Sequence, residues 1–125
     1  MTTPLVFVVE DDPVLGLLFA DVMQIIGLDT RLIPDGRLVN QHLEEAVPDM
    51  VMLDLHLPHV SGLEILTRIR ADARLEKTRV AMVTADNIRV REARGKADLI
   101  LIKPIGYFDL VDMVAKLLPQ HALPQ

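Results

Sequence analysis

Short apolar runs alternate with amphipathic segments along the whole of this chain. The runs cover residues 5–9, 30–33, 50–54, 79–84 and 98–102. Runs of four to six apolar residues bounded by turn residues are typical of buried strands. Strands that alternate with helices require right-handed crossovers, which place the strands in one parallel sheet with helices on both faces. The pattern therefore predicts an α/β fold, a three-layer sandwich around five parallel strands.

The segments between the runs carry helix signals. The first has Asp12 at the N-cap position, Pro13 at the first helical position and Gly27 as a stop signal. Apolar residues recur at helical spacing in two later segments, namely Leu63, Ile65, Leu66 and Ile69, and then Tyr107, Leu110, Val111, Val114, Leu117 and Leu118. Helices are predicted over residues 13–26, 36–47, 62–72, 87–97 and 107–118.

The composition fits one aliphatic core. The chain has 125 residues, of which half are hydrophobic, but it contains only three Phe, one Tyr and no Trp. An aliphatic core suits parallel strands covered by helices on both faces. We expect residues 1–120 to form one domain and residues 121–125 to be a short tail, with no room for an output domain.

Charge and cysteine usage exclude several function classes. The net charge of −5 argues against nucleic acid or an anionic membrane as a direct partner. The absence of cysteine excludes disulfides, a thiolate nucleophile and cysteine-ligated metals. The chain shows neither a basic leader nor an apolar segment long enough to span a membrane. We therefore expect a soluble cytoplasmic protein.

Polar side chains follow four of the five predicted strands. Glu10 and Asp11 follow the first strand, Asp54 ends the third, Thr84 ends the fourth and Lys103 follows the fifth. The carboxyl ends of parallel strands lie at one edge of a sheet, where ligands bind in such folds. We therefore expect these side chains to lie close together.

Each of these residues also has a purely structural interpretation. Glu10 and Asp11 could cap the helix that follows them, Thr84 could open the next helix, and Lys103 could be a solvated loop residue. Asp54 is the hardest to explain in this way. It directly follows the apolar residues 51–53, and an isolated buried carboxylate is unfavourable unless it is paired, bound to a metal or neutralised.

Taken together, the residues predict a phosphoryl-transfer site. Three clustered carboxylates raise one another's pKa unless a cation joins them, and Mg²⁺ prefers such oxygen ligands. With Mg²⁺ and Lys103 supplying positive charge, Asp54 could attack phosphorus and form an aspartyl phosphate. Thr84 offers a hydroxyl to a phosphoryl oxygen.

These residues lie in motifs that resemble those of a known family. The motifs are "VFVVEDD", "DMVMLDLHLPHVSGLEIL", "VAMVTAD" and "LILIKP". In this order, they are similar to the receiver domain of two-component response regulators and cover nearly the whole chain. The resemblance implies a flavodoxin-like fold whose parallel sheet has the strand order 2-1-3-4-5.

The resemblance also implies a role for each site residue. Asp54 would be the phosphoacceptor, Asp11 a direct Mg²⁺ ligand and Glu10 a ligand through water. The backbone carbonyl of His56 would complete the protein ligands. Thr84 and Lys103 would sense the phosphoryl group.

Further matches lie in two loops. The peptide bond between Lys103 and Pro104 would be cis. Pro58 and Gly62 match the turn that leads into the third helix. His56 and His59 are expected to border the pocket as exposed loop residues, because a zinc site there lacks further ligands.

The sequence departs from the family pattern at two points. The family usually has an aromatic residue three positions before the lysine, where it swings inward when the threonine moves, whereas this chain has Ile100. The stretch between Thr84 and Lys103 is also shorter than usual by about one helical turn. The fourth helix is therefore expected to be short.

The fourth helix, the fifth strand and the fifth helix form the surface that partners of this family recognise. Here the fourth helix carries a basic cluster of Arg89, Arg91, Arg94 and Lys96. The cluster could bind an acidic partner, or it could be an ordinary solvated helix face.

These features predict a stand-alone response regulator in a two-component system or phosphorelay. It would accept a phosphoryl group from a sensor histidine kinase or a histidine phosphotransfer protein, and it would signal through protein contacts. It would be no enzyme beyond its own phosphorylation and dephosphorylation.

Two alternatives stay open. The first is a receiver-like scaffold that works without phosphorylation. The second is a Mg²⁺-dependent phosphohydrolase, which is disfavoured because the chain lacks a second Asp two positions after Asp54 and lacks a cap insertion.

Overall fold

The computed structural model describes residues 3–85 and 90–119. The strands are β1 (Leu5–Val9), β2 (Asp29–Ile33), β3 (Met50–Asp54), β4 (Arg79–Thr84) and β5 (Leu99–Ile102). The helices are α1 (Pro13–Ile26), α2 (Val39–Glu45), α3 (Gly62–Arg70), α4 (Val90–Ala93) and α5 (Tyr107–Leu117). All strand pairs are parallel, and their order is β2-β1-β3-β4-β5. The predicted fold class and strand order are confirmed.

Alternate strand residues feed two separate cores. On one face of the sheet, residues such as Val8 and Met52 pack with apolar residues of α1 and α5. On the other face, Phe7, Val51 and Leu53 pack with α2, α3 and α4. This alternation follows from the period of two in a strand. It produces the predicted three layers, and the strand order places β3 in the middle of the sheet.

The predicted signals at both ends of α1 are confirmed. The Oδ1 atom of Asp12 accepts hydrogen bonds from the amides of Val14 and Leu15 at 2.9 and 3.1 Å. Gly27 ends the helix in the left-handed conformation at a φ of 104°. Such caps satisfy amides and carbonyls that a helix end otherwise leaves without partners.

The second helix is shorter than the predicted range of residues 36–47. Its beginning is a 3-10 turn, Gly36–Leu38, in which the Leu38 amide donates to the Asp35 carbonyl at 3.0 Å and the Asp35 side chain accepts a hydrogen bond from the Arg37 amide at 2.9 Å. The helix then ends at Glu45, and Ala46 is extended. Pro48 disfavours helical backbone in the residue before it.

The fourth and fifth helices also differ from their predicted ranges. Of the predicted residues 87–97, the structure describes a helix only over α4, and residues 86–89 lie outside the described part. In α5, the predicted stripe is buried or half-buried except at its start. Tyr107 is 44% exposed, because it begins the helix beyond the edge of the core, and its ring contacts the 82% exposed Phe108 edge-on. The helix ends one residue early, at Leu117.

The fifth strand begins one residue later than predicted. Asp98 lies just before the strand: its amide donates to the Val80 carbonyl at 2.8 Å, while its side-chain Oδ2 accepts hydrogen bonds from the Val80 amide at 2.7 Å and from Arg70 at 2.6 Å. Within the described residues, no helix has the length and apolar character to cross a membrane.

Leu66 tests the second core, the one between the sheet and helices α2, α3 and α4, because it is fully buried there. The Leu66→Ala variant is expected to lose about 2–5 kcal/mol of unfolding free energy through lost burial and a residual cavity. The matched control is Leu17→Ala on the exposed face of α1, which should change the free energy of unfolding by less than about 0.5 kcal/mol. Denaturant unfolding measures both, and equal losses would contradict the described layers.

Candidate functional site

The predicted site residues meet at the carboxyl edge of the sheet. Glu10 and Asp11 follow β1, Asp54 ends β3, Thr84 ends β4 and Lys103 follows β5. The register pairs Val9 with Leu53 and Asp54 with Val83, so these strand ends are level with one another. The central position of β3 therefore places Asp54 between the acidic pair on one side and the threonine and lysine on the other.

Asp54 is buried and has two direct partners. The residue is only 4% exposed. Its Oδ2 accepts a hydrogen bond from the Lys103 ammonium at 2.8 Å, and its Oδ1 accepts one from the His56 amide at 2.9 Å. A buried carboxylate needs such compensation. The two bonds fix the carboxylate at the tip of the strand.

Glu10 is the second buried acid, at 3% exposure. The Lys103 ammonium also donates to its Oε1 at 3.1 Å, and the Asp12 amide donates to its Oε2 at 3.2 Å. Burial, and next the charge of Asp54, raise the pKa of Glu10 to about 7. Without a bound cation, Glu10 therefore carries a proton in about half of the folded molecules at pH 7.

Lys103 links the two buried acids. Burial by itself would lower the pKa of Lys103, but the hydrogen bonds and charges of Asp54 and then Glu10 raise it above the ordinary lysine value. The ammonium therefore stays charged at any physiological pH. Its backbone amide donates to the Thr84 carbonyl at 2.8 Å, which holds the start of the β5–α5 loop against β4.

The acidic cluster fits a divalent cation. One carboxylate oxygen from each of Glu10, Asp11 and Asp54 lies within 4.8 Å of the others. Three carboxylates and one ammonium leave two negative charges, which a divalent cation would neutralise. Asp11 is exposed, so the cluster opens to solvent on that side. A hard, oxygen-only donor set of this kind favours Mg²⁺ over softer metals.

The remaining predicted residues lie around this cluster. Thr84 is fully buried at the end of β4. His56 and His59 are both exposed in the loop after β3, as predicted, and His59 has a φ of 70°. The peptide bond between Lys103 and Pro104 is cis, which confirms that prediction. The metal-ligand role of the His56 carbonyl stays a prediction.

Two features of the molecule were missed in the sequence. The first is the close approach of the Gly62 backbone to the end of β3, since the sequence placed this glycine only in a turn. The second is the outward face of α1, where Val14, Leu17, Leu18 and Ile25 are all exposed. The sequence does carry a signal for the second feature, because Asp21 is the only charged residue within α1.

Comparison with known proteins decides the family. The model of the response regulator receiver domain matches residues 6–115. The chain belongs to this receiver family. Its relatives include the phosphate regulon transcriptional regulatory protein PhoB of Rhizobium meliloti, which is 32% identical over 98% of this chain and 55% of its own length. The chain spans about half the length of the curated relatives it matches.

Solved receiver structures have the same fold. The chemotaxis response regulator CheY4 of Vibrio cholerae has a TM-score of 0.87 at 22% identity, over 94% of this chain and all of that one. The response regulator TrrA of Thermotoga maritima has a TM-score of 0.83 at 24% identity, over 93% of this chain and all of that one. That protein was solved in complex with Mg(2+)-BeF.

Ile100 occupies the position where receiver domains usually carry an aromatic residue. It is half-buried on the sheet face that α3 and α4 cover. With Val90, Arg94 and Ile102, it lines a groove of about 320 Å³ between α4 and β5. Arg91, Arg94 and Lys96 of the predicted basic cluster are all exposed, whereas Arg89 lies outside the described residues.

The raised pKa of Glu10 gives the site a pH dependence. A ligand carboxylate must lose its proton, so we expect Mg²⁺ to bind about tenfold more weakly at pH 6 than at pH 8. In the metal-free chain, the pKa of Glu10 is higher in the folded state, at about 7, than the ordinary value of 4.5, so protonation of Glu10 adds to the free energy of unfolding. This contribution is complete below pH 4.5 and is lost as the pH rises through about 7.

The control is Glu10→Gln, which should bind Mg²⁺ more weakly at every pH and lose most of the pH dependence. Calorimetric titration at several pH values measures both effects. An equally steep pH profile in this variant would assign the proton to another group.

Proposed function

We propose that this chain is a phosphoacceptor response regulator, phosphorylated on Asp54 in a Mg²⁺-dependent reaction. The observation that carries the proposal is the position of Asp54. Its buried carboxylate lies between a carboxylate cluster and the Lys103 ammonium, at an edge that opens to solvent beside Asp11. This arrangement supplies a nucleophile, a cation site and a charge partner within contact of one another.

The carboxylates of Glu10, Asp11 and Asp54 and the carbonyl of His56 would hold the metal. When bound, Mg²⁺ would supply positive charge to the phosphoryl oxygens. TrrA, which shares the fold, was solved in complex with Mg(2+)-BeF, and this supports a Mg²⁺ site in a chain of this fold.

In the proposed transfer, an oxygen of Asp54 forms a bond to phosphorus while the bond from phosphorus to a donor imidazole nitrogen breaks. Catalysis of such a step depends on positioning and charge. The His56 amide holds Oδ1, so it orients the carboxylate. Lys103 would turn from Glu10 to the new phosphoryl group, and the Thr84 hydroxyl would donate to a phosphoryl oxygen.

The proposed partners follow from the family. A sensor histidine kinase or a histidine phosphotransfer protein would donate the phosphoryl group. A downstream protein would read the surface of α4, β5 and α5, where the exposed Arg91, Arg94 and Lys96 favour an acidic partner. We further propose that residues 1–120 are the receiver domain, that it works in the cytoplasm, and that it contacts proteins rather than nucleic acid or membrane.

Ile100 favours a second candidate function, that of a scaffold whose surface is independent of phosphorylation. An aromatic residue at this position could change rotamer between inward and outward states. The branched Ile100 side chain is packed against the second core and is stiff at χ1. In this alternative, the groove beside Ile100 would have the same shape whether or not Asp54 carries a phosphoryl group.

The test is phosphorylation by a small-molecule donor. Incubation with Mg²⁺ and phosphoramidate should add one phosphoryl group, which intact mass and peptide mapping should locate on Asp54. Asp54→Asn should abolish the gain, whereas the same change at the exposed Asp21 should leave it intact. Asp11→Ala should weaken Mg²⁺ binding and phosphorylation together, because both depend on the same cluster.

The alternatives predict other results. No gain of mass with any donor would contradict the proposal and support the scaffold. Steady hydrolysis of phosphomonoesters over many turnovers would indicate a phosphohydrolase instead.

A further inference from the structure

Gly62 lies against the backbone of the phosphoacceptor itself. It is the first residue of α3, in a loop-to-helix junction that returns to the end of β3. A Cβ atom at this position would lie 2.3 Å from the Asp54 carbonyl oxygen and 2.8 Å from the Leu55 Cα. Both are backbone atoms, so no side-chain rotation could relieve the overlap. Only a residue without a side chain allows α3 to approach this peptide so closely.

Hydrogen bonds hold the two backbones together at this point. The Gly62 amide donates to the Leu55 carbonyl at 3.0 Å, and the Leu55 amide donates to the Val83 carbonyl at 2.9 Å. Leu55 is itself buried in the second core. The peptide between Asp54 and Leu55 is therefore clamped between β4 and the first turn of α3.

The clamp acts on the geometry of the Asp54 carboxylate. An ordinary contact for a Cβ begins at 3.4 Å, so a methyl group at residue 62 would require a displacement of about 1 Å. The bonds from Asp54 to Lys103 and to the His56 amide are 2.8 and 2.9 Å long. Hydrogen bonds of that length do not survive such a shift without rearrangement.

We propose that Gly62 is a positioning residue for Asp54: its missing side chain lets α3 rest on the peptide after Asp54 and thereby fixes the carboxylate against Lys103 and the His56 amide. The kinetic part of this inference rests on the proposed phosphoacceptor function. The geometric part does not, since it concerns the contacts of Asp54 in the chain as it stands.

Gly36 offers a matched control. It is also buried and also begins a helical turn, in this case the 3-10 turn after Asp35. A Cβ there would meet the ends of the Ile65 and Leu57 side chains at 3.2 and 3.3 Å. Flexible side-chain ends can give way by a few tenths of an ångström, so Gly36→Ala adds the same methyl group to the same core without moving the acceptor.

The experiment compares Gly62→Ala and Gly36→Ala with the unaltered chain. Nuclear magnetic resonance follows the His56 amide, whose chemical shift and hydrogen exchange report its bond to Asp54. We expect Gly62→Ala to shift this amide and speed its exchange, and to slow phosphorylation by phosphoramidate about 10- to 100-fold. Gly36→Ala should leave the amide unchanged and the rate within about threefold.

A folded Gly62→Ala chain with an unaltered His56 amide and an unaltered rate would overturn the inference. If this variant unfolds in buffer, the amide is measured in trimethylamine N-oxide, which favours the folded state. A chain that stays unfolded there would show that Gly62 is required for folding as a whole, which also overturns the positioning role. If the unaltered chain takes up no phosphoryl group, the proposed function is wrong. The chemical shift and exchange rate of the His56 amide in Gly62→Ala still test whether Gly62 positions Asp54.

Discussion

The site depends on one ammonium group that compensates two buried carboxylates. Lys103 bonds Asp54 at 2.8 Å and Glu10 at 3.1 Å, and both acids are almost fully buried. Each acid alone would be unfavourable in this position, because burial disfavours its charged form. Among the residues that the structure describes, Lys103 is the only cation that bonds either of them. Its positive charge does not balance the whole cluster: a proton on Glu10 would neutralise one of the two remaining negative charges, and a divalent cation would neutralise both.

The sheet makes this arrangement possible. Lys103 comes from the chain after β5, yet it reaches acids at the ends of β1 and β3. The strand order brings these ends to one edge with β3 in the centre, and the clamp between Gly62 and the peptide after Asp54 holds that centre from the other side. Charge and steric fit therefore both act on Asp54. The charge of Lys103 sets the protonation and the metal affinity of the acidic cluster, and the contact with Gly62 sets the position of the Asp54 carboxylate.

The sequence predicted the fold and the composition of this cluster for identifiable reasons. Each strand is short and apolar, and each polar residue of the cluster follows directly after a strand, so the period of a strand and the parallel topology place them together. The cap residue Asp12 and the stop at Gly27 were equally local signals. The family resemblance supplied the strand order, which periodicity alone does not give.

The rest depends on contacts between distant parts of the chain. The start of β5 follows from the bond of the Asp98 side chain to the Val80 amide, which no local pattern records. Tyr107 is exposed because the core ends before the first turn of α5. The close approach of Gly62 to Asp54 depends on how the loop returns to the strand, so the glycine alone predicted only a turn.

The most direct test of this account is a crystal structure of the chain with Mg²⁺ and beryllium fluoride, a mimic of a phosphoryl group. The account predicts the metal among the oxygens of Glu10, Asp11 and Asp54, the fluoride group on Asp54, and the Lys103 ammonium turned from Glu10 toward the fluoride. A structure with Mg²⁺ bound elsewhere, or with the fluoride absent from Asp54 and Lys103 still bonded to both acids, would contradict it.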